Sequence, residues 1–230
     1  MAINVKPATD DLTLPRILCL HGGGVTGEVF RAQARALIKA LPSFRLVFAD
    51  GPSSATPAPA SCPAAEEVMY AIRTAKDGDA GTGPWVGMLG FSQGAKLAAS
   101  LLHEQQVRVE REGTADTDYR FAVLLAGRQP LISFSELSSS PATLPAGAIS
   151  EGFQYPGESD RILRLPTIHV HGLSDPGLHL HRQLMDKYCD RESVTLVEWD
   201  GTHRVPLKKT DVDKICTEIY RVAREQGVKC

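Results

Sequence analysis

The sequence predicts an α/β fold of about six mostly parallel strands with helices on both faces, a three-layer αβα sandwich. Short, largely apolar runs alternate with longer amphipathic ones along the 230 residues. Apolar runs of that kind are what strands buried on both faces look like, and strand–helix alternation sets such strands parallel. A hydrophobic content of 43% suits one compact domain spanning residues 1–230.

The strands fall at residues 17–20, 46–49, 86–91, 121–125, 167–170 and 194–199. After the first, Val29, Phe30, Gln33, Leu37 and Leu41 recur at helical spacing. Leu97, Leu101 and Leu102 do so after the third strand, and Leu180, Leu184 and Tyr188 after the fifth. In the last helix Val212, Ile215, Ile219 and Ala223 form one stripe, with Thr210 placed to cap its start. Residues 1–14 read as an N-terminal extension, and residues 52–65, rich in Pro, Ala and Ser, as a loop. Residues 128–166 carry Pro130, Pro141, Pro145, Pro156 and Pro166 with little periodicity. A connection that long inside a compact domain is expected to be a lid or an insert.

Composition excludes several classes. A net charge of -2 leaves no electrostatic footprint for nucleic acid or an anionic membrane. Residues 1–14 lack the apolar core of a secretory signal, and no run approaches the ~18 apolar residues of a membrane span. A cytoplasmic location is therefore expected. The five cysteines are scattered without CxxC spacing, which predicts neither disulfides nor zinc. His169, His171, His179 and His181 crowd together but lack a carboxylate or thiol at ligand spacing, so no metal and no cofactor are expected.

The chemistry concentrates in three places. Gly90-Phe91-Ser92-Gln93-Gly94 lies between a strand and a helix. This G-x-S-x-G turn projects a serine hydroxyl over the sheet's carboxyl edge, above a helix N-terminus. A serine needs a base, and the base an orienting acid. Asp175 follows the fifth strand and His203 the sixth, so the three reach one rim in the order Ser, acid, His. Asp200 and Asp160 are weaker acids for the role, the first because it lies too close to His203 in sequence and the second because it sits in the long loop. The loop Leu20-His21-Gly22-Gly23-Gly24 follows the first strand and offers an oxyanion donor at Gly23, with Gly24 second, opposite the Gln93 N–H. His21 is expected to shape that loop. Val25, Arg128, Phe134, Phe153, Tyr155 and Val205 are placed to line a substrate pocket. Trp85 and Trp199 are expected to be packing residues.

Two other readings compete. Gly22-x-Gly24-x-x-Gly27 between strand and helix, with Asp50 ending the second strand, matches a dinucleotide-binding oxidoreductase. That reading leaves the Ser92, Asp175 and His203 segments unexplained. The second keeps the fold without turnover, as a hydrolase-like small-molecule receptor.

The chain resembles the fungal serine hydrolase branch of the α/β-hydrolases from about Arg16 to Ala223. The resemblance rests on Ile17-Leu18-Cys19-Leu20-His21-Gly22, Phe30, Asp50-Gly51-Pro52, the elbow, His171-Gly172-x-x-Asp175 and Gly201-x-His203-x-Val205-Pro206. It implies an esterase or thioesterase related to carboxylesterases and to enzymes that release polyketide chains from a synthase. The implied partners are a small acyl ester or thioester and the synthase's acyl carrier protein. Leu125-Ala126-Gly127-Arg128 departs from the Ser-Gly-Phe frequent in the branch, and the loop after Pro52 lacks its aromatics.

Overall fold

A computed structural model describes residues 11–51, 64–150, 152–157 and 163–230. In chain order the elements are β1 (Arg16–Leu20), α1 (Gly27–Gln33), α2 (Arg35–Ala40), β2 (Arg45–Ala49), α3 (Ala64–Asp77), β3 (Trp85–Phe91) and α4 (Gln93–Glu112). β4 (Phe121–Leu125), β5 (Leu131–Ser133), β6 (Thr143–Pro145), β7 (Thr167–Gly172), α5 (Leu178–Tyr188), β8 (Val194–Trp199) and α6 (Lys209–Glu225) follow.

Six strands form one sheet in the order β2-β1-β3-β4-β7-β8, every pair parallel. The register aligns the carboxyl ends: Leu20 lies beside both Ala49 and Gly90, Phe91 beside Leu125, and Gly172 beside Trp199. The order reverses at β1, which has β2 on one side and β3 on the other. A crevice opens at the carboxyl ends at such a reversal.

Alternation along each strand divides the core. Ile17, Cys19, Leu89, Val123, Ile168 and Val197 pack with Phe30, Leu37, Ile215 and Ile219 from α1, α2 and α6. Leu18, Met88, Ala122 and Leu124 face the other way, toward Ile72, Ala98, Leu102 and Leu184 from α3, α4 and α5. Full burial of one such Leu or Ile is worth about 1.5–3 kcal/mol. Trp199 is buried in the first cluster, whereas Trp85 lies at the strand edge under the Arg16 guanidinium.

Three local expectations need correction. The helical run after β1 breaks at Ala34, whose φ of -86° and ψ of 8° separate α1 from α2. Thr210 caps nothing: the Val212 amide donates to the Lys208 carbonyl, so α6 starts earlier and Thr210 sits inside its first turn. Of residues 52–65, 52–63 lie outside the described residues, and Ala64 and Ala65 already belong to α3.

The described part of residues 128–166 is held firmly. β5 and β6 pair in parallel, and the Ile132 amide donates to Ser100 Oγ of α4 at 2.8 Å. The Ser135 and Ser138 hydroxyls both donate to the Glu104 carboxylate, and Tyr188 Oη donates to the Ala142 carbonyl at 2.8 Å.

Candidate active site

The strand–helix elbow at Ser92 follows from two glycines. A Cβ on Gly90 would stand 2.3 Å from the Gly94 carbonyl oxygen, and one on Gly94 would stand 2.0 Å from that of Leu20. With both side chains absent, α4 can start directly against β1 and β3. Ser92 then takes φ 53° and ψ -111°, a region costly for any residue with a Cβ, by about 1–3 kcal/mol. Its amide is fixed on the Leu125 carbonyl at 2.8 Å. Although Ser92 occupies the N-cap position of α4, its hydroxyl caps nothing there. It faces His203 Nε2 instead, at 2.9 Å.

His203 and Asp175 come from adjacent strand exits that are stitched together. The Leu173 amide donates to the Trp199 carbonyl and the Ser174 amide to the Gly201 carbonyl, both at 2.9 Å. Gly172 permits this approach, since a Cβ there would stand 2.6 Å from the Gly201 oxygen. His203 Nδ1 donates to Asp175 Oδ2 at 2.7 Å, and Asp175 Oδ1 accepts the Gly177 amide at 2.8 Å. Burial by itself would raise the Asp175 carboxyl. The Gly177 amide and the His203 and His181 rings outweigh it and hold the carboxyl below the ordinary carboxylate range. Asp200 is exposed, and Asp160 lies outside the described residues.

The imidazole therefore carries its proton on Nδ1 and presents a lone pair to the serine, the arrangement general-base catalysis needs. Its ring packs on Phe91, centroids 5.1 Å apart, and Phe91 stacks on Phe30 at 6.4 Å.

On the other side of Ser92 stands the glycine loop. Gly23 lies against Gln93, whose Oε1 would be 2.8 Å from an added Cβ, so the two candidate oxyanion amides belong to touching residues. Gly24 has φ 75°, a turn conformation suited to glycine. His21 shapes the loop: Nδ1 donates to the Gly22 carbonyl and Nε2 accepts the Gly51 amide, each at 2.7 Å.

Beyond this loop opens a cavity of about 760 Å³, lined by Gly23, Val25, Val68, Ile72, Gln93 and Phe134 among others. Of the six residues expected at a substrate pocket, Val25 and Phe134 line this cavity, and Arg128, Phe153, Tyr155 and Val205 are not in its lining. Arg128 is exposed, Val205 is buried in the core, and Phe153 is half-buried. Tyr155 packs edge-on against Tyr188 and donates to the Lys187 carbonyl.

Asp50 resolves the dinucleotide alternative. Its Oδ1 accepts the Gly27 amide at 2.6 Å, and Thr26 Oγ1 caps Val29. The N-terminus of α1 is thus occupied by the chain's own side chains, and the acid proposed for a ribose is engaged with the helix.

One neighbour escaped the sequence. His181, placed by α5, brings Nε2 to 3.8 Å from Asp175 Oδ2, so a carboxylate does stand beside the histidine cluster. The signal available was the spacing: six residues and one helical turn separate the two.

A six-stranded parallel sheet flanked by helices, whose central strand β3 ends in a tight strand–helix elbow at Ser92 with Asp175 and His203 beyond the exits of β7 and β8, defines the α/β-hydrolase class. Within that class the chain belongs to the serine hydrolase (FSH1) family, whose family model matches residues 11–79 and 60–215. It is 44% identical to Esterase citA of Monascus ruber, over 97% of this chain and 98% of that one. Esterase dbaE of Emericella nidulans is 43% identical, with 94% and 93% covered. Zea mays acyl-protein thioesterase 2 shares the fold at a TM-score of 0.59 and 16% identity, covering 95% and 96% of the two chains. Among the described residues, no helix is long and apolar enough to cross a membrane.

Proposed function

We propose that Ser92, His203 and Asp175 are the nucleophile, general base and orienting acid of an esterase or thioesterase. The observation that carries the reading is one imidazole bridging Asp175 at 2.7 Å and Ser92 at 2.9 Å. His203 takes the Ser92 proton as Oγ attacks the acyl carbonyl, and Asp175 offsets the charge that develops on the ring. The Gly23 and Gln93 amides, with Gly24 as second choice for the first, receive the oxyanion; such a donor is worth about 3–4 kcal/mol to the transition state. His203 returns the proton to the leaving alcohol or thiol. Water, deprotonated by the same ring, then releases the acid from Ser92.

The acyl chain occupies the cavity beside Gly23, with residues 128–150 as a fixed wall bolted to α4. The substrate class is a small-molecule ester or thioester of secondary, polyketide-type metabolism, met in the cytoplasm. For a thioester, an acyl carrier protein delivers it. The related esterases of Monascus ruber and Emericella nidulans support the ester side of this reading.

The test is Ser92→Ala. Turnover of an acyl ester and labelling by a fluorophosphonate should both vanish while circular dichroism stays unchanged. Retained labelling or full turnover would remove the assignment. Matched oxygen esters and thioesters offered to the native enzyme then separate the two leaving groups by kcat/KM.

A further inference from the structure

We infer that Asp175, His181 and His203 form a latent site for a divalent cation of the zinc class, and that filling it switches the enzyme off. The inference rests on the proposed triad. Its starting point is a ring that the triad chemistry leaves unused.

His181 is completely buried, and both its ring nitrogens lack a hydrogen-bond partner among the described residues. Leaving a polar group buried and unpartnered costs about 1–3 kcal/mol, so such a group calls for a physical account. Its Nε2 faces Asp175 Oδ2 at 3.8 Å, the same oxygen that holds His203 Nδ1 at 2.7 Å. One donor atom from each of the three residues lies within 4.8 Å of the others. Ligands around tetrahedral zinc stand roughly 3.3 Å apart, given bonds of about 2.0–2.1 Å, and the two observed separations straddle that spacing.

The donor chemistry selects the cation. Two imidazoles and a carboxylate suit zinc and its neighbours, whereas magnesium and calcium need six or more oxygens. His203 is the half-exposed member, with 34% of its side chain accessible, and gives solvent a route to the fourth position.

Occupation disarms the base without any net change in protons. The cation takes the Nδ1 lone pair of His203, and the ring's single proton moves to Nε2. Nε2 then donates where it had accepted, and Ser92 loses its base.

The test assays chelator-stripped native enzyme on a p-nitrophenyl ester with zinc chloride, beside His181→Gln. Micromolar zinc should abolish turnover of the native enzyme, EDTA should restore it, and millimolar magnesium should have no effect. His181→Gln should need about ten-fold more zinc, or beyond, relative to its own zinc-free rate. Cobalt added to the Ser92→Ala protein should give tetrahedral visible bands without thiolate charge transfer, a result available even if His181→Gln does not fold. Zinc insensitivity, equal sensitivity of His181→Gln, or cobalt held by cysteine would overturn the inference. Failure of the triad itself would show separately, as full zinc-free turnover in Ser92→Ala.

Discussion

Acidification from about pH 7 to about pH 5 should remove a large part of the folding stability, because of three rings between β7 and α5. His169, His171 and His181 are each no more than 1% exposed. Burial, reinforced by the neighbouring histidines, pushes His169 down to about 3 and His171 and His181 to about 4. Arg182 acts the same way on His171 and Arg128 and His179 on His181, while Asp175 opposes both. In the unfolded chain each ring titrates near about 6.5. Between that value and about 4 the unfolded state binds more protons, so stability falls as pH falls through the window. Integrated over the two pH units, each ring costs about 2 kcal/mol and the three about 6 kcal/mol. With a urea slope of about 2–3 kcal/mol per molar, the midpoint should drop by about 2–3 M. The depressed Asp175 carboxyl contributes its own loss only below the unfolded carboxylate value, about pH 4, and leaves this window clear. Equilibrium urea unfolding followed by far-ultraviolet circular dichroism at the two pH values measures the drop, and His171→Gln should lessen it by about one third. A native midpoint that moves by less than about 0.5 M would mean that the rings take up protons in place, and the reasoning from burial would fail.

Two further perturbations address the site and its frame. Val68→Phe adds bulk to the cavity wall on α3; kcat/KM for an octanoyl ester relative to an acetyl ester should fall by about ten-fold or more, and an unchanged ratio would place the acyl chain elsewhere. Gly94→Ala drives a methyl to 2.0 Å from the Leu20 carbonyl oxygen and 2.6 Å from that of His21, so α4 must retreat from β1. A loss of about 3 kcal/mol in urea unfolding, with slowed ester turnover, is expected.

The sheet was legible because each strand is a continuous apolar run, and the structure extends those runs by at most two residues at an end. The meeting of Ser92, Asp175 and His203 was legible for a related reason: each follows a strand directly, and parallel strands deliver their exits to one rim. α3 also leaves a signal in the sequence, where Val68, Met69, Ile72 and Ala75 recur at helical spacing. The pocket was harder. Val25 and Phe134 lie near fixed points, the glycine loop and the β5 strap, while Tyr155 and Val205 were drawn off by Tyr188 and the core. Which way a loop side chain turns depends on partners distant in sequence, and no local pattern reports that. The approach of His181 to Asp175 belongs to the same class, because it depends on how α5 packs on β7.

The two tryptophans stand at opposite ends of the sheet. Trp199 closes β8 with its indole against Gly201, two residues before His203, and carries the Arg204 guanidinium over its ring. Trp85 opens β3, between Arg16 and Lys76. The protein thus holds a built-in optical pair: one emitter feels any shift of the histidine loop when a ligand arrives, and the other serves as an internal reference from the far edge.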